Sequence, residues 1–422
     1  MLRTHDERSR AASSHVLIGL RELGRVLAAA FLAGEWEPDA MASRGCRAIG
    51  RRTWLRDVAV EVIAAYRDPP RDRPRELAAY IAIVLEERRR RPRVPRVLYE
   101  FTAHPAVVRA PWPVPRIDTV GELAERLELD PGQLAWLADV RGLERTTSPK
   151  LRNYTYVRVP RATGPPRVIE RPKARLKEIQ RWILHEILAW IPVHDAAHGF
   201  VRGRSARTHA AAHVGRRVIF RFDLEDFFAS VSAGRVYGIF RAAGYPESVA
   251  HTLTGLCTNV VPIDEPVSGR LARRLATPHL PQGAPTSPAL ANLAAYRLDC
   301  RLAGFGVTYT RYADDLVFST DRNLRRLRVE PIARDEGFRL NAAKTRVMGR
   351  GSRQTVTGVV VNVRPNVPRA EYDLLKAILH RAAHDGPGDL DPAHVMGRIA
   401  WVESLNPARG AKLRARFAAI RW

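Results

Sequence analysis

The sequence predicts an α+β fold, and three observations carry that reading. Residues 1 to about 85 are rich in Ala, Leu and Arg with few strand signals, so they read as helices. Near Tyr154 the texture changes: Tyr154-Thr155-Tyr156-Val157-Arg158-Val159 alternates as a strand does, and strands and helices then alternate to about residue 363. The tail, 364–422, is again helical and basic. At 422 residues the chain has room for two or three domains, each with its own core. The expected division is 1–110, a helical N-terminal extension of unknown role; 111–150, a helical segment leading on; 151–363, the mixed domain; and 364–422, a short helical domain.

The individual elements follow in order. Val26-Leu27-Ala28-Ala29-Ala30-Phe31-Leu32-Ala33 is apolar but too short to span a bilayer, and it lacks a signal-peptide layout, so no membrane is implied. Glu86-Glu87-Arg88-Arg89-Arg90-Arg91-Pro92-Arg93 breaks the helical pattern and is either a solvated linker or a nucleic-acid contact. Pro105 to Pro115 continues as an irregular connection. Thr119 before Leu123 and Leu127 suggests a capped helix, and Asp130-Pro131 starts a second one with Pro in its first turn. Arg167-Val168-Ile169-Glu170 follows the strand at Tyr154 after a turn at Gly164-Pro165-Pro166, which makes a hairpin. Leu176 to Ile191 repeats Ile179, Ile183, Ile187 and Leu188 with a helical period.

Apolar content of 45% is that of an ordinary globular protein, so the charge is the unusual feature. The net charge is +25, and 63 of the 69 basic residues are arginine. Such an excess points to a polyanion partner, whose counterions each neutralised phosphate releases. Cys46, Cys257 and Cys300 are far apart and form no metal-ligand spacing, which suits a reduced, cytoplasmic protein.

The chemistry centres on acids. Tyr312-Ala313-Asp314-Asp315 lies between Thr308-Tyr309-Thr310-Arg311 and Leu316-Val317-Phe318-Ser319. Neighbouring strand residues point to opposite faces, so two adjacent ionised Asp residues make poor core. They fit a tight turn between two short strands, where paired carboxylates suit a divalent metal that handles phosphate. Asp223 ends a second β-rich run, Arg217-Val218-Ile219-Phe220-Arg221-Phe222, and lies 91 residues before Asp314. Two such strand-borne acid sites converging on one sheet edge would hold two Mg²⁺ ions. Asp226 reads better as a helix-start residue than as a ligand. Between the acid sites, Leu280 to Leu293 carries Gln282-Gly283-Ala284-Pro285-Thr286-Ser287-Pro288, a turn that brings backbone close to something flat or polyanionic and then enters a helix.

In wording and order these segments resemble the reverse transcriptases, and within them the retron reverse transcriptases of bacteria. Asp223 in Phe-Asp-Leu-Glu-Asp-Phe-Phe resembles the family's first metal motif. Leu280 to Leu293 resembles its Gln-Gly-Ala-Pro-x-Ser-Pro motif, and Tyr312 to Asp315 its Tyr-x-Asp-Asp box. Gly337 to Thr345 resembles the next motif, and Arg353 to Gly358 the one that grips the primer. The likeness covers roughly 150–365 with all five motifs in order. Val356-Thr357-Gly358 resembles the triplet characteristic of retrons. The family's Asn-Ala-x-x-His element has as its nearest string Asp195-Ala196-Ala197-His198, with Asp for Asn and one residue too few.

The resemblance implies a right-hand polymerase: fingers and palm over 151–363, a short helical thumb over 364–422, and a helical N-terminal extension. It implies Asp223, Asp314 and Asp315, with Leu224 beside them, as holders of two Mg²⁺ ions. Arg167, Lys173 and Gln282 are implied at the nucleotide, and Lys177 is a further fingers cation. Phe228 is implied as a bulky gate against a 2′-hydroxyl. Lys344 suits protonation of leaving pyrophosphate, because that role needs a titratable cation. His198, Arg202, Arg204, Val356, Thr357 and Gly358 are implied at RNA or primer. Partners would be a structured non-coding RNA and its DNA product, dNTPs and an effector protein. The reaction would copy part of that RNA from a 2′-hydroxyl into branched RNA–DNA (msDNA), in defence against phage. The alternatives are a group II intron-like or other bacterial reverse transcriptase, and a catalytically retired RNA-binding protein.

Overall fold

The structure is a computed structural model. It describes residues 5–88, 97–101, 110–160, 166–267, 269–324 and 326–422, with side chains from residue 19 onward. The arginine run beyond Arg88, the Pro105 end of the proline-rich connection and Gly164-Pro165 lie outside the described residues.

The chain packs as two compact units. One is Met1–Leu143 together with Tyr237–Leu256. Its helices His5–Leu32, Pro38–Ile49, Leu55–Ala65 and Pro74–Glu87 enclose one core that includes Leu27, Phe31, Met41, Leu55, Val58 and Ile81. The apolar run from Val26 is therefore core, and no helix among the described residues is long and apolar enough to cross a membrane. Helix Val120–Arg126 starts at Thr119, whose hydroxyl accepts from the Glu122 N–H at 3.1 Å. Helix Pro131–Leu137 starts at Asp130, which forms a reciprocal capping box with Gln133. Residues 237–256 fall within the mixed domain of the sequence reading, yet here they pack with the N-terminal helices. Glu247 shows why: its carboxylate accepts the N–H groups of Arg75 (2.8 Å) and Glu76 (3.3 Å), at the positive end of helix Pro74–Glu87. Arg241 also pairs with Asp72 at 2.8 Å.

The second unit is Glu144–Val236 together with Cys257–Trp422. Strands β1 (Tyr154–Val159) and β2 (Arg167–Pro172) form the expected hairpin, with Tyr154 opposite Pro172. The predicted helix after it runs as α-helix only over Ala174–Trp182. It then changes pitch, to a π-turn at Ile183–Ile187 and a 3₁₀ turn at Leu188–Trp190, which keeps Ile183, Ile187 and Leu188 buried. Strands β3 (Val218–Asp223), β4 (Thr308–Tyr312), β5 (Asp315–Thr320) and β6 (Arg346–Gly349) make one antiparallel sheet in the order β4-β5-β3-β6. A miniature hairpin, β7 (Thr355–Val356) and β8 (Val359–Val360), turns at Thr357-Gly358, with φ of 45° and 81°.

Three helices close the chain: Arg369–Asp385, Pro392–Leu405 and Pro407–Ala418. Leu375, Leu379 and Ala382 recur along one face of the first, as a buried helix stripe requires. They share a core with Ile219 and Val317 of the sheet, with Val356 and Val359 of the small hairpin, and with Ile399 and Leu413.

Candidate active site

Strands β4 and β5 pair with Tyr312 opposite Asp315, so Ala313-Asp314 is a two-residue turn. Ala313 has φ of 55°, the left-handed backbone that such tight hairpins need. On the other side of β5, β3 pairs so that Asp223 lies directly opposite Asp315. The Leu224 N–H then donates to the Asp314 carbonyl at 2.9 Å, which fixes the turn against the end of β3. Three carboxylates from segments 91 residues apart thus gather at one sheet edge.

Like charges placed directly opposite destabilise a sheet unless cations intervene. Arg221, two residues before Asp223 on β3, grips Asp315 through Nε and Nη2 at 2.9–3.1 Å. The Lys344 ammonium donates to Asp223 Oδ2 at 2.9 Å. Even so, burial and then the Asp223 carboxylate hold Asp314 above its ordinary range, against the opposing pull of Lys344. Burial likewise lifts Asp315, outweighing Arg221. Among the described residues no three acid, His or Cys groups already stand close enough to hold an ion unaided. The donor chemistry nonetheless fits a hard divalent cation: carboxylate oxygens, partly buried, with more negative charge than the two neighbouring cations relieve. The Leu224 carbonyl accepts no hydrogen bond among the described residues.

The remaining walls are built by chain neighbours. The Asn341 N–H donates to the Asp223 carbonyl at 2.8 Å, Leu224 bridges Leu340, and a 3₁₀ turn at Ala342–Lys344 delivers Lys344. After Asp223 the chain turns repeatedly until helix Ala233–Ala242. Asp226 sits in those turns with φ of 50°, so it does not start a helix as the sequence suggested. Phe227 is buried and takes the core position, leaving Phe228 half-buried at its side.

The Gln282 carbonyl accepts the Glu170 N–H at 2.9 Å, tying the Gln-Gly turn to β2. A Cβ on Gly283 would stand 2.7 Å from the Glu170 carbonyl oxygen, and its φ is 135°. The backbone of β2 therefore already requires a glycine here. Glu170 is itself buried, bonded to Asn259 at 2.7 Å and to His279 Nε2 at 3.0 Å. Burial alone would lower His279, but the Glu170 carboxylate outweighs it and raises the imidazole above 6.5. The pair therefore stabilises the fold fully below pH 6.5 and loses that contribution as pH rises through the higher folded value. Thermal melts from pH 6 to 9 should show Glu170→Gln less stable at low pH and less sensitive to pH than the parent.

The other expected contacts divide. Arg167, Lys177 and Arg202 are exposed and without a partner among the described residues. Lys173 instead donates to the Pro149 and Lys150 carbonyls (3.2 and 2.9 Å), anchoring the base of the hairpin. Arg204 donates to the Ala197 carbonyl at 2.7 Å and pairs with Asp195 at 3.2 Å, so it staples its own loop. His198 bonds Thr208 at 2.9 Å, and its ring meets His209 edge-on; burial holds it below its usual range. Val356 is fully buried, which leaves the Thr357-Gly358 turn as the part of that triplet able to meet a primer. The Thr357 hydroxyl is buried without a partner among the described residues.

Comparison with known proteins agrees with this geometry. Residues 159–361 match the family model "Reverse transcriptase (RNA-dependent DNA polymerase)". The Retron Mx65 reverse transcriptase of Myxococcus xanthus is 44% identical over 276 residues, 63% of this chain and 65% of that one. The Retron Mx162 reverse transcriptase of the same organism is 37% identical over 331 residues, 72% and 67% of the two chains. The Retron Ec86 reverse transcriptase of Escherichia coli is 32% identical over 249 residues, 57% and 72% of the two. The chain belongs to the retron reverse transcriptases. The alignments span about two thirds of each of these relatives. Among solved structures, a foamy viral protease-reverse transcriptase in complex with ds DNA matches with a TM-score of 0.37 at 12% identity, over 86% of this chain and 55% of that one, too loosely to build on.

In this retron reverse transcriptase, a right-hand polymerase fold, the string that fits Asn-Ala-x-x-His is not Asp195 to His198. His209-Ala210-Ala211-Ala212-His213 has the correct spacing, with His at the first position. Both rings are buried. His213 bonds Ser319 and Thr310, each at 2.7 Å, and burial pushes His209 down to about 2 and His213 down to about 3. Neutral and turned onto β4 and β5, they brace the sheet. Counting four residues back from His213 would have found them.

Proposed function

We propose that the chain is an RNA-directed DNA polymerase that copies part of a structured non-coding RNA from a 2′-hydroxyl primer, giving branched RNA–DNA. The single observation that carries this is the register placing Asp223 opposite Asp315, with Asp314 on the adjoining turn. Asp223, Asp314 and Asp315, with the Leu224 carbonyl, would hold two Mg²⁺ ions. When bound, these supply neutralisation of the triphosphate and activation of the primer hydroxyl. Asp223 would then exchange its bond to Lys344 for the metal, freeing that ammonium for the leaving pyrophosphate. Arg167, with Lys177 beside it, would meet the incoming triphosphate, and Gln282 would align the nucleotide. Lys173 would act through the hairpin it anchors. Arg202 and the Thr357-Gly358 turn would meet RNA and primer.

In this reading 151–363 supplies fingers and palm, and 364–422 the thumb. The net charge of +25 supports a nucleic-acid partner. A setting in the cytoplasm, with an effector protein in anti-phage defence, extends the family reading. Primer extension on an RNA template with Mg²⁺ and dNTPs tests the polymerase, and sequencing of copurified nucleic acid tests the branched product. A chain that extends no primer under these conditions would overturn the reading in favour of a retired RNA-binding protein.

Phe228 yields a separable prediction. Its half-buried ring, backed by Phe227 at 5.7 Å, would exclude a 2′-hydroxyl. Phe228→Ala should retain dNTP incorporation and raise rNTP incorporation by about a hundredfold, since steric exclusion is worth a few kcal/mol. Single-nucleotide insertion with each sugar type measures it, and an unchanged ratio removes Phe228 from that role.

A further inference from the structure

The segment His198-Gly199-Phe200 is bound to the Tyr-Ala-Asp-Asp hairpin more tightly than a surface loop requires. The His198 N–H donates to the Arg311 carbonyl, and the Arg311 N–H to the Ala196 carbonyl, both at 2.7 Å. The Gly199 carbonyl accepts from Asn292 Nδ2 at 2.9 Å, and Asn292 Oδ1 accepts from Arg311 Nη1 at 2.9 Å, all within buried surroundings. A Cβ on Gly199 would stand 2.6 Å from the Ala313 nitrogen. The loop is thus seated directly on the turn that carries Asp314.

What this seating presents is Phe200. Its φ is 63°, a conformation that costs free energy in an aromatic residue and persists only when the surroundings impose it. Burial does not offset that cost, because Phe200 is 51% exposed. Its ring lies 6.2 Å from Phe228 and 6.4 Å from Tyr312. Three rings therefore cluster next to the turn that carries Asp314. Phe227 backs Phe228, and Tyr312 leads into the hairpin turn; Phe228 and Tyr312 are both only partly exposed, so Phe200 is the most exposed ring of the three.

We infer that Phe200 is a specificity-determining residue whose ring packs against the base pair being formed, and that it governs base selection apart from the sugar selection of Phe228. The inference rests on the polymerase reading. With phosphate held at the carboxylates and the sugar at Phe228, the base is the part of the nucleotide left to meet the third ring. A phenyl face offers no hydrogen bond and suits a flat base and not a phosphate.

The test is single-nucleotide insertion on a primed RNA template by the full chain, with matched dNTP, mismatched dNTP and rNTP. Phe200→Ala should lower kcat/KM for the matched dNTP about tenfold, mainly through KM, as loss of one base–aromatic contact would. It should narrow the matched-to-mismatched ratio and leave the dNTP-to-rNTP ratio unchanged, whereas Phe228→Ala should do the reverse. Phe200→Trp should recover most of the loss. Phe200→Gly relieves the backbone strain, so it should melt no lower than the parent and still lose selectivity. Parental selectivity in the Gly variant, or losses that track melting temperature across all variants, would overturn the inference. Failure of the parent to insert any nucleotide would instead sink the polymerase reading, and this inference with it.

Discussion

Asp314→Asn should abolish primer extension while making the metal-free protein no less stable than the parent. The loss follows from the geometry. Asp314 occupies the hairpin turn beside the Asp223–Asp315 pair, and, on the proposed two-ion reading, removing one carboxylate forfeits several kcal/mol of transition-state stabilisation, about a thousandfold in rate or more. The stability effect follows from the same crowding. Burial and the Asp223 carboxylate raise Asp314 above its ordinary 3.8, so the native state takes up a proton more readily than the unfolded chain. A group raised in this way makes the fold less stable as pH climbs through its folded pKa. Metal-free parent should therefore lose melting temperature as pH rises above about 4, and Asp314→Asn should flatten that slope. Added Mg²⁺ should stabilise the parent at neutral pH, through binding to the native state alone, and leave the variant unmoved. Extension by Asp314→Asn at the parental rate would remove the two-ion reading. A steeper pH slope in the variant would remove the electrostatic one.

The parts of this site that could be read in the sequence are those whose signal is local. Tyr312-Ala313-Asp314-Asp315 sits between two short strand patterns, so a turn with two acids at its tip follows from alternation alone. Thr119 and Asp130 announce their helices by capping chemistry within three residues. What could not be read is pairing across distance. Nothing near Arg221 marks it as the partner of Asp315, nor Glu170 as that of His279, because those contacts join residues 94 and 109 positions apart. The structural contacts of the cations were hidden for the same reason. Lys173 and Arg204 resemble phosphate contacts by residue type, yet their heads meet carbonyls that only the folded chain brings near. Val356 belongs to a motif by its letters and to a hydrophobic core by its position. The grouping of 237–256 with the N-terminal helices was hidden likewise, since it depends on Glu247 meeting a helix start that lies far back in the sequence.

The largest stability loss should come from a residue that touches neither nucleotide nor metal. Asp299 and Arg311 are both fully buried, and they pair at 2.6 and 2.8 Å. The Tyr309 hydroxyl donates to the same carboxylate at 2.7 Å, and the remaining guanidinium donors reach Asn292 and the Ala313 carbonyl. Burial alone would lower the Arg311 pKa, but the Asp299 carboxylate outweighs it, so the guanidinium stays charged with its counter-ion. Asp299→Ala would leave that charge unpaired in the interior and should cost about 3–5 kcal/mol, as breaking a buried pair by removing one partner does. Chemical denaturation should show it as a lower midpoint with the slope retained. Because Arg311 also ties Ala313 and Asn292 together, the variant should lose primer extension even at temperatures where it remains folded. Asp299→Leu with Arg311→Met tests the cause. Replacing both charges with apolar groups of similar volume should recover most of the stability, whereas extension should stay low, since Asn292 and the Ala313 carbonyl would still lack their donor. Recovery of both together would mean that the pair serves the hairpin through packing alone.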